Sequence, residues 1–274
     1  MNPTSPLERV SPPGRSPVWY RFQRPGGPFR HAILTRLGGA SRGAFEALNL
    51  GSTVGDDPEA VAENHRRVFD ALGFEPDRVV SPYQVHGCHV ARVDGSHGGR
   101  VIPETDALIT DTPGLGLLLR FADCVPVLLY DPDHRAAGLA HAGWRGTAAG
   151  VIPTCVRAMT AAFGTRPRHL WAGIGPAIGP DHYEVGMEVV DAVRATLPNG
   201  VEVAERRGDR WYLDLPGAVA AQLDASGVGT VTPSGLCTAC NTDEWYSHRA
   251  EDGSTGRFGV IVGLAEASDR DAPY

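Results

Sequence analysis

Three residues that could bind a metal lie in apolar, strand-like stretches of the sequence: His86, Cys124 and His141. A polar group in such a stretch is costly to bury unless another group pairs with it. Two imidazoles and one thiolate form a suitable ligand set for zinc, and three protein ligands leave one coordination position open, as is typical of catalytic zinc. Such zinc can lower the pKa of a bound water to about 7. These residues are therefore the first candidates for catalysis and for a metal site.

The spacing of these residues leaves two other interpretations open. Thirty-eight positions separate His86 from Cys124, and seventeen separate Cys124 from His141, which matches no short zinc motif. Cys124 can instead be a small buried hydrophobic residue, with both histidines paired to other polar groups. Cys124 can also be the nucleophile of a cysteine hydrolase, with His141 or His86 as its general base.

All 25 basic residues are arginines, because the sequence contains no lysine. Enzymes that depend on a lysine are thereby excluded, including those with a P-loop lysine or a pyridoxal Schiff base. An anion site must use arginines or backbone N–H groups. An exposed arginine is often only a solvated surface residue, but four arginines near the candidate loops could form an anion clamp: Arg36, Arg145, Arg249 and Arg257.

The composition favours a globular protein of the cytoplasm. A net charge of -7 argues against nucleic acid or an anionic membrane as partner. Five cysteines in 274 residues do not form a disulfide framework. Cys237-Thr-Ala-Cys240 lacks the second ligand pair of a structural zinc site, so we interpret it as structural or incidental. The N-terminus has no apolar signal core, and Arg120 and Asp123 interrupt the most apolar window, so no membrane segment is predicted.

The hydrophobic pattern predicts more strands than helices, and the strands do not alternate strictly with helices. This pattern predicts an α+β protein rather than a doubly wound sheet. Residues 78–93 alternate like a strand or hairpin. A buried apolar helix is expected over residues 146–163, where Pro153 either kinks it or opens the main helix after a short turn. We expect a disordered leader over residues 1–17, a single catalytic domain over residues 18–265 and a frayed tail over residues 266–274.

Short motifs between residues 30 and 262 carry a resemblance to a known family. The most specific is His141-Ala-Gly-Trp-Arg-Gly146 following Ala122-Asp-Cys124. Further matching motifs include Thr35-Arg-Leu-Gly-Gly-Ala-Ser41, Asn49-Leu-Gly51, Gln84-Val-His-Gly87, Thr105-Asp-Ala-Leu108, Ser247-His-Arg249 and Thr255-Gly-Arg257. On these motifs the chain resembles the laccase-domain family, also called the multicopper polyphenol oxidoreductase or purine nucleoside phosphorylase family.

The resemblance implies a four-layer α/β/β/α sandwich with mixed sheets, and a zinc ion (Zn2+) held by His86, Cys124 and His141. It also implies phosphorolysis of purine nucleosides (adenosine, inosine, guanosine and methylthioadenosine) and deamination of adenosine. Older descriptions of the family assign a copper-dependent polyphenol oxidase, with Cu2+ as cofactor, instead. A multinuclear copper cluster would need several more histidines than this ligand set offers.

The expected partners are a purine nucleoside and phosphate, bound by a monomer or a small homo-oligomer. Arg36, Arg145 and Arg249 are our candidates for holding phosphate, because a positioned anion and charge stabilisation assist attack on the anomeric carbon. We also expect Asn49 to bind the ribose or the base, and His248 to donate a proton.

Overall fold

The computed structural model describes residues 5–14 and 16–266 of the chain. This part contains five α-helices: α1 (Pro58–Leu72), α2 (Trp144–Ala148), α3 (Val151–Phe163), α4 (Met187–Arg194) and α5 (Leu215–Ala225). It also contains sixteen strands: β1 (Leu7–Val10), β2 (Trp19–Phe22), β3 (Phe29–Leu34), β4 (Val79–Pro82), β5 (Val90–Arg92), β6 (Val101–Ile102), β7 (Ala107–Thr110), β8 (Gly116–Phe121), β9 (Val125–Asp131), β10 (Ala136–Ala142), β11 (Trp171–Ile174), β12 (Glu184–Val185), β13 (Ala204–Arg207), β14 (Arg210–Leu213), β15 (Thr230–Pro233) and β16 (Phe258–Leu264).

The strands form two large sheets and a small one. The first sheet has the order β1-β2-β3-β16-β8-β4-β6, and the second has the order β15-β11-β9-β10-β7-β5. Both are mixed: β8 pairs antiparallel with β16 but parallel with β4, and β11 pairs antiparallel with β9 but parallel with β15. The third sheet is β12-β14-β13. The predicted α+β class with mixed sheets is confirmed.

Three clusters of buried side chains show how the layers stack. Val68 of α1 and Ile261 of β16 share the cluster on the outer face of the first sheet. Leu128 of β9 lies in the cluster between the two large sheets. Its neighbour Leu129 points the other way and shares the third cluster with Val156 of α3, because successive side chains of a strand alternate between faces. The order helix, sheet, sheet, helices is the four-layer sandwich that the family resemblance implies.

The central strands are apolar along their whole length because both of their faces are covered. Every residue of β9, β10 and β16 is buried. The two apolar runs that flank the candidate residues Cys124 and His141 are therefore inner strands of the sandwich. A polar group near the end of such a strand has few ways to reach water.

The expected disorder of residues 1–17 is wrong for residues 7–10. This segment is β1, which pairs antiparallel with β2 at the edge of the first sheet. Leu7 is buried between the two large sheets, and the Glu8 carboxylate forms an ion pair with Arg21 over 2.9 Å. The prolines on both sides of this four-residue edge strand are the reason that the sequence pattern did not predict it. Residues 1–4 of the expected leader and residues 267–274 of the expected tail lie outside the described residues.

Two local predictions are resolved by the structure. The apolar segment 146–163 breaks into α2 and α3 at Gly150, whose φ is 77°, so Pro153 lies in the first turn of α3, where a missing N–H is tolerated. Residues 78–93, predicted as a strand or hairpin, hold β4 and β5 in different sheets. Among the described residues, we find no helix with the length and apolarity to cross a membrane.

Candidate metal centre and arginine-lined cleft

Three chain segments cross from the first large sheet to the second. Residues 83–89 connect β4 with β5, residues 103–106 connect β6 with β7, and residues 122–124 connect β8 with β9. The first crossing carries His86 and the third carries Cys124. Strand pairing thus brings together residues that are far apart in the sequence.

The structure brings the three predicted metal ligands together. The ligand atoms of His86, Cys124 and His141 all lie within 4.8 Å of one another. His141 is buried, Cys124 is half-buried and His86 is exposed, so the group has one open side. A glycine provides the space for it, because a Cβ on Gly143 would lie 2.9 Å from Sγ of Cys124. Two imidazoles and a thiolate with an open side fit zinc as donors and in arrangement.

Asp106, at the end of the second crossing, holds both histidines. Its Oδ1 accepts hydrogen bonds from Nδ1 of His141 and from the backbone N–H of His86, each over 2.9 Å. Its Oδ2 accepts the backbone N–H of Gly87 over 2.7 Å. Because the Nδ1 proton of His141 is engaged, Nε2 is the free ring nitrogen. These bonds also hold His86 in the left-handed region, with a φ of 61°.

The charges of the cluster favour the form of cysteine that binds metal. Burial raises the pKa of the Cys124 thiol, but the imidazoles of His141 and His86 outweigh burial and lower this pKa to about 6. Burial lowers the pKa of His141, but the Cys124 thiolate and Asp106 outweigh it and raise this pKa to about 9. The metal-free pair is therefore a thiolate and an imidazolium near neutral pH. The thiolate is the form that binds zinc and the form that acts as a nucleophile.

A cleft of about 780 Å³ opens onto the three candidate ligands. Its lining includes four arginines: Arg120, Arg145, Arg249 and Arg257. The guanidinium of Arg145 lies 4.4 Å from the ring centre of Trp144, and that of Arg249 lies 5.2 Å from the ring centre of Tyr183. Such stacking orients the planar guanidinium groups. The edges of the Arg145 guanidinium remain available for hydrogen bonds, whereas Nη1 of Arg249 donates to the backbone oxygen of Glu184 over 2.7 Å and leaves its other N–H groups available.

The backbone of one wall of the cleft is held by Asp123, the residue before Cys124. Its Oδ1 accepts hydrogen bonds from the hydroxyls of Thr238 and Ser247, over 2.6 and 2.7 Å. Its Oδ2 accepts the backbone N–H of Arg249 over 2.7 Å. One carboxylate therefore joins the segment that carries Cys124 to the loop that carries Arg249.

The predicted substrate-binding residues divide into two groups. His248 and Arg249 line the cleft, as does Arg145, which is also predicted to hold phosphate. Arg36 and Asn49 are not among the described residues that line it. Both are instead engaged in the scaffold of the protein.

Asn49 is fully buried, and its amide donates to Oδ2 of Asp56 over 2.8 Å and accepts the backbone N–H of Arg257 over 2.8 Å. Arg36 donates to Oε1 of Glu251 over 2.9 Å and to the backbone oxygen of Thr242 over 2.7 Å. The structure thus places these two predicted substrate ligands in scaffold contacts, and substrate binding by them stays a prediction. Asn49 positions the backbone of Arg257, and Arg36 holds the loop around residue 250 through its bonds to Thr242 and Glu251.

Sequence reasoning missed Asp106 and Asp123, and it did not weigh Arg120 as an anion ligand. Each aspartate is buried beside a strand end, and a buried carboxylate requires partners. Arg120 interrupts the apolar strand β8 in the same way. The signal that drew attention to Cys124 could therefore have identified these three residues as well.

Comparisons with known proteins agree with this geometry. The family described as multi-copper polyphenol oxidoreductase laccase matches residues 30–265. The chain belongs to this laccase family. The resemblance inferred from the short motifs is thereby confirmed, and the match spans the cleft and both large sheets apart from β1 and β2.

Relatives of this laccase-family chain are similar over nearly their whole length. Purine nucleoside phosphorylase YlmD of Geobacillus stearothermophilus is 39% identical over 262 residues, which cover 90% of this chain and 95% of the relative. A purine nucleoside phosphorylase of Deinococcus radiodurans is 42% identical over 234 residues, which cover 85% and 88%. A Streptomyces coelicolor relative, also named purine nucleoside phosphorylase, is 44% identical over 229 residues, which cover 84% and 93%.

Solved structures show the same fold. The crystal structure of YlmD from Geobacillus stearothermophilus has a TM-score of 0.88 and 38% identity, and the match covers 90% of this chain and 96% of that one. The crystal structure of the Bacillus licheniformis hypothetical protein YfiH has a TM-score of 0.84 and 34% identity, with 86% and 92% covered. The sandwich described above is thus the architecture of these solved structures as well.

Proposed function

We propose that the chain is a zinc-dependent purine nucleoside phosphorylase. One observation carries this proposal: a donor set of two histidines and one cysteine, open on one side, borders a cleft lined by four arginines. The first feature suits a catalytic metal and the second suits an anionic co-substrate. The names of the relatives from Geobacillus stearothermophilus and Deinococcus radiodurans support the same activity.

Phosphate is the anion that this cleft suits best. Arginine binds phosphate through paired N–H groups in a fixed plane, and here no lysine competes for that role. We assign phosphate binding to Arg145 and Arg249, whose side chains are exposed in the cleft. Burial lowers the pKa of both Arg120 and Arg257, so these partly desolvated cations would gain from an anionic partner.

In phosphorolysis a phosphate oxygen forms a bond to the anomeric carbon C1′, and the C1′–N9 bond breaks as the purine leaves with the bonding electrons. The arginines hold the phosphate in position for this attack, which removes much of its entropic cost. His248 also lines the cleft, and we assign it proton donation to N7 of the departing purine. Bound zinc would supply Lewis-acid and charge stabilisation beside the reacting groups.

The substrates proposed are adenosine, inosine, guanosine and methylthioadenosine, and deamination of adenosine at C6 is proposed as a second activity of the same cleft. Deamination adds water at C6 and releases ammonia, without any need for phosphate. Product analysis separates the two activities, since phosphorolysis of adenosine yields adenine and deamination yields inosine.

The direct test is the release of hypoxanthine from inosine. Zinc-loaded protein is expected to release hypoxanthine and ribose 1-phosphate only when phosphate is present. A chelator should abolish this activity, and added Zn2+ should restore it. The Cys124→Ser variant, which lacks the thiolate ligand, serves as the matched inactive protein. Zinc-loaded protein that releases no hypoxanthine in the presence of phosphate would refute the proposal.

Two alternatives are tested by the same preparation. The family description favours copper, so metal analysis showing stoichiometric Cu2+ together with oxygen uptake on phenols would support a polyphenol oxidase. The lowered pKa of Cys124 beside His141 favours a cysteine hydrolase, in which the thiolate attacks and His141 transfers the proton. That activity would persist in metal-free protein, whereas loss on chelation with recovery on zinc addition excludes it.

A further inference from the structure

A second cluster of metal-binding side chains lies outside the site described above. It consists of His182, Cys237 and Cys240, whose ligand atoms all lie within 4.8 Å of one another. Nε2 of His182 and Sγ of Cys240 are 3.1 Å apart. We propose that these three residues bind a second zinc ion. The proposal does not depend on phosphorylase activity.

The geometry of the cluster suits tetrahedral zinc. Zinc lies about 2.3 Å from sulfur and about 2.0 Å from imidazole nitrogen, which places neighbouring ligand atoms roughly 3.5–3.8 Å apart. One observed separation is 3.1 Å and the others are at most 4.8 Å, so the cluster is close to this spacing. Side-chain shifts of about 1 Å therefore suffice. Two thiolates and one imidazole select zinc over hard cations such as Mg2+ and Ca2+.

The two cysteines lie in a turn of the kind that a pair of cysteine ligands requires. Cys237 and Cys240 lie in one turn after β15, in the C-x-x-C spacing that is common among zinc ligands. The Asn241 side chain donates to the backbone oxygen of Cys237 over 2.7 Å, which fixes this turn. The backbone N–H of Gly179 donates to Sγ of Cys237 over 3.1 Å. Hydrogen bonds of this kind orient metal ligands.

The third ligand comes from a distant part of the sequence, which explains why the sequence did not reveal the site. His182 lies in the loop between β11 and β12, while the cysteines lie between β15 and β16. His182 and Cys240 are exposed, so a metal ion can enter from solvent. The neighbouring Asp181 carboxylate is held by Arg207 over 2.9 Å, so water is the expected fourth ligand.

A metal ion here would join two loops that support the cleft. Thr238, between the two cysteines, donates to the Asp123 carboxylate over 2.6 Å. The backbone oxygen of Glu184, two residues after His182, accepts a hydrogen bond from Nη1 of Arg249 over 2.7 Å. Zinc would thus connect the segment that holds Asp123 to the segment that holds Arg249, so its role is structural.

The test is the zinc content of the purified full-length protein. Two zinc ions per chain are expected in the wild type and one in Cys240→Ser. One is also expected in Cys124→Ser, which loses only the ion of the cleft. Cys88→Ser and His169→Gln, which alter residues outside both clusters, should keep both ions. Replacement with Co2+ identifies the lost ion, because Cys240→Ser removes the two-thiolate spectrum and retains the one-thiolate spectrum. That retained spectrum also shows that the variant has folded.

Three results would overturn the proposal. The first is a single zinc ion in the wild type that disappears in Cys124→Ser. The second is an unchanged content of two ions in both Cys240→Ser and His182→Gln. The third is a Cys237–Cys240 disulfide, seen as a mass lower by two hydrogens, in protein prepared under reducing conditions with zinc. His182→Gln provides the same measurement if Cys240→Ser does not fold.

Discussion

Nδ1 of His141 donates a hydrogen bond to Oδ1 of the buried Asp106 over 2.9 Å. The same carboxylate accepts the backbone N–H groups of His86 and Gly87. One acidic side chain therefore sets the ring orientation of one candidate ligand and the backbone conformation of another. The candidate metal centre therefore depends on Asp106, although this carboxylate is not one of the three candidate ligands.

Replacement of Asp106 by asparagine tests this dependence. The amide NH2 group cannot accept the N–H bonds that one carboxylate oxygen now accepts, so at least one candidate ligand loses its support. We expect zinc affinity to fall by roughly 10- to 100-fold, as is usual for such supporting residues. Competition with a chromogenic chelator measures the change. Asp111→Asn, which alters an exposed aspartate paired with Arg92, is the control and should bind zinc as the wild type does. Equal affinities in the two variants would contradict the assignment.

Gly143→Ala tests the space around the thiolate. The added Cβ would lie 2.9 Å from Sγ of Cys124 and 3.2 Å from Cδ2 of His86, closer than ordinary contacts. The φ of Gly143 is -75°, so alanine adds no backbone strain, and the protein should remain folded. We expect weaker zinc binding in the same chelator competition. Gly26→Ala, where a Cβ meets nothing within 4 Å, should leave zinc binding unchanged. Full zinc affinity in Gly143→Ala would show that the glycine is incidental.

The sequence predicts the chemistry of this site better than its architecture. His86, Cys124 and His141 are recognisable because each carries a polar group into an apolar stretch, a local property. Asn49 shows the limit of that reasoning, because its burial depends on the pairing of its amide with Asp56 and with the backbone of Arg257, 208 positions away. Single-sequence patterns contain no information on such long-range contacts.

For the same reason, the sequence alone does not predict which strands share a sheet. Residues 78–93 alternate like a hairpin, yet β4 and β5 lie in separate sheets because β4 pairs with β8 and β5 pairs with β7. The edge strand β1 was obscured by prolines on either side of it. Its pairing with β2 and the burial of Leu7 outweigh the weak local preference of these residues.

Arg145→Gln tests the assignment of phosphate binding. A hydrogen bond to a charged group contributes about 1.5–3 kcal/mol when its partner is lost. We therefore expect the KM for phosphate to rise roughly 10- to 100-fold, with a much smaller change in the KM for inosine. Steady-state rates at varied phosphate concentration supply both constants. Arg92→Gln, an exposed arginine outside the cleft, is the control. An increase confined to the KM for inosine would indicate that Arg145 contacts the nucleoside and not the phosphate.

The last prediction concerns His31, which lies between the two large sheets and stacks on Phe29 with ring centres 4.9 Å apart. The backbone N–H of Phe22 donates to its Nε2 over 2.9 Å, so this nitrogen is an acceptor and the ring is neutral. Burial lowers the pKa of His31 from its ordinary value of 6.5 to about 4. Between these two pH values the unfolded chain binds a proton at this residue and the folded chain does not.

The free energy of unfolding should therefore decrease as the pH falls from 6.5 to 4, by up to about 3 kcal/mol from this histidine alone. Urea unfolding of metal-free protein at pH 7 and pH 4.5 measures the decrease. In His31→Gln the decrease should be smaller by about 2–3 kcal/mol, whatever the stability of the variant at pH 7, because glutamine has no proton to gain. His169→Gln removes an exposed histidine and should retain the wild-type decrease. An identical decrease in His31→Gln and the wild type would mean that His31 is protonated in the folded core, which the hydrogen bond from Phe22 does not permit.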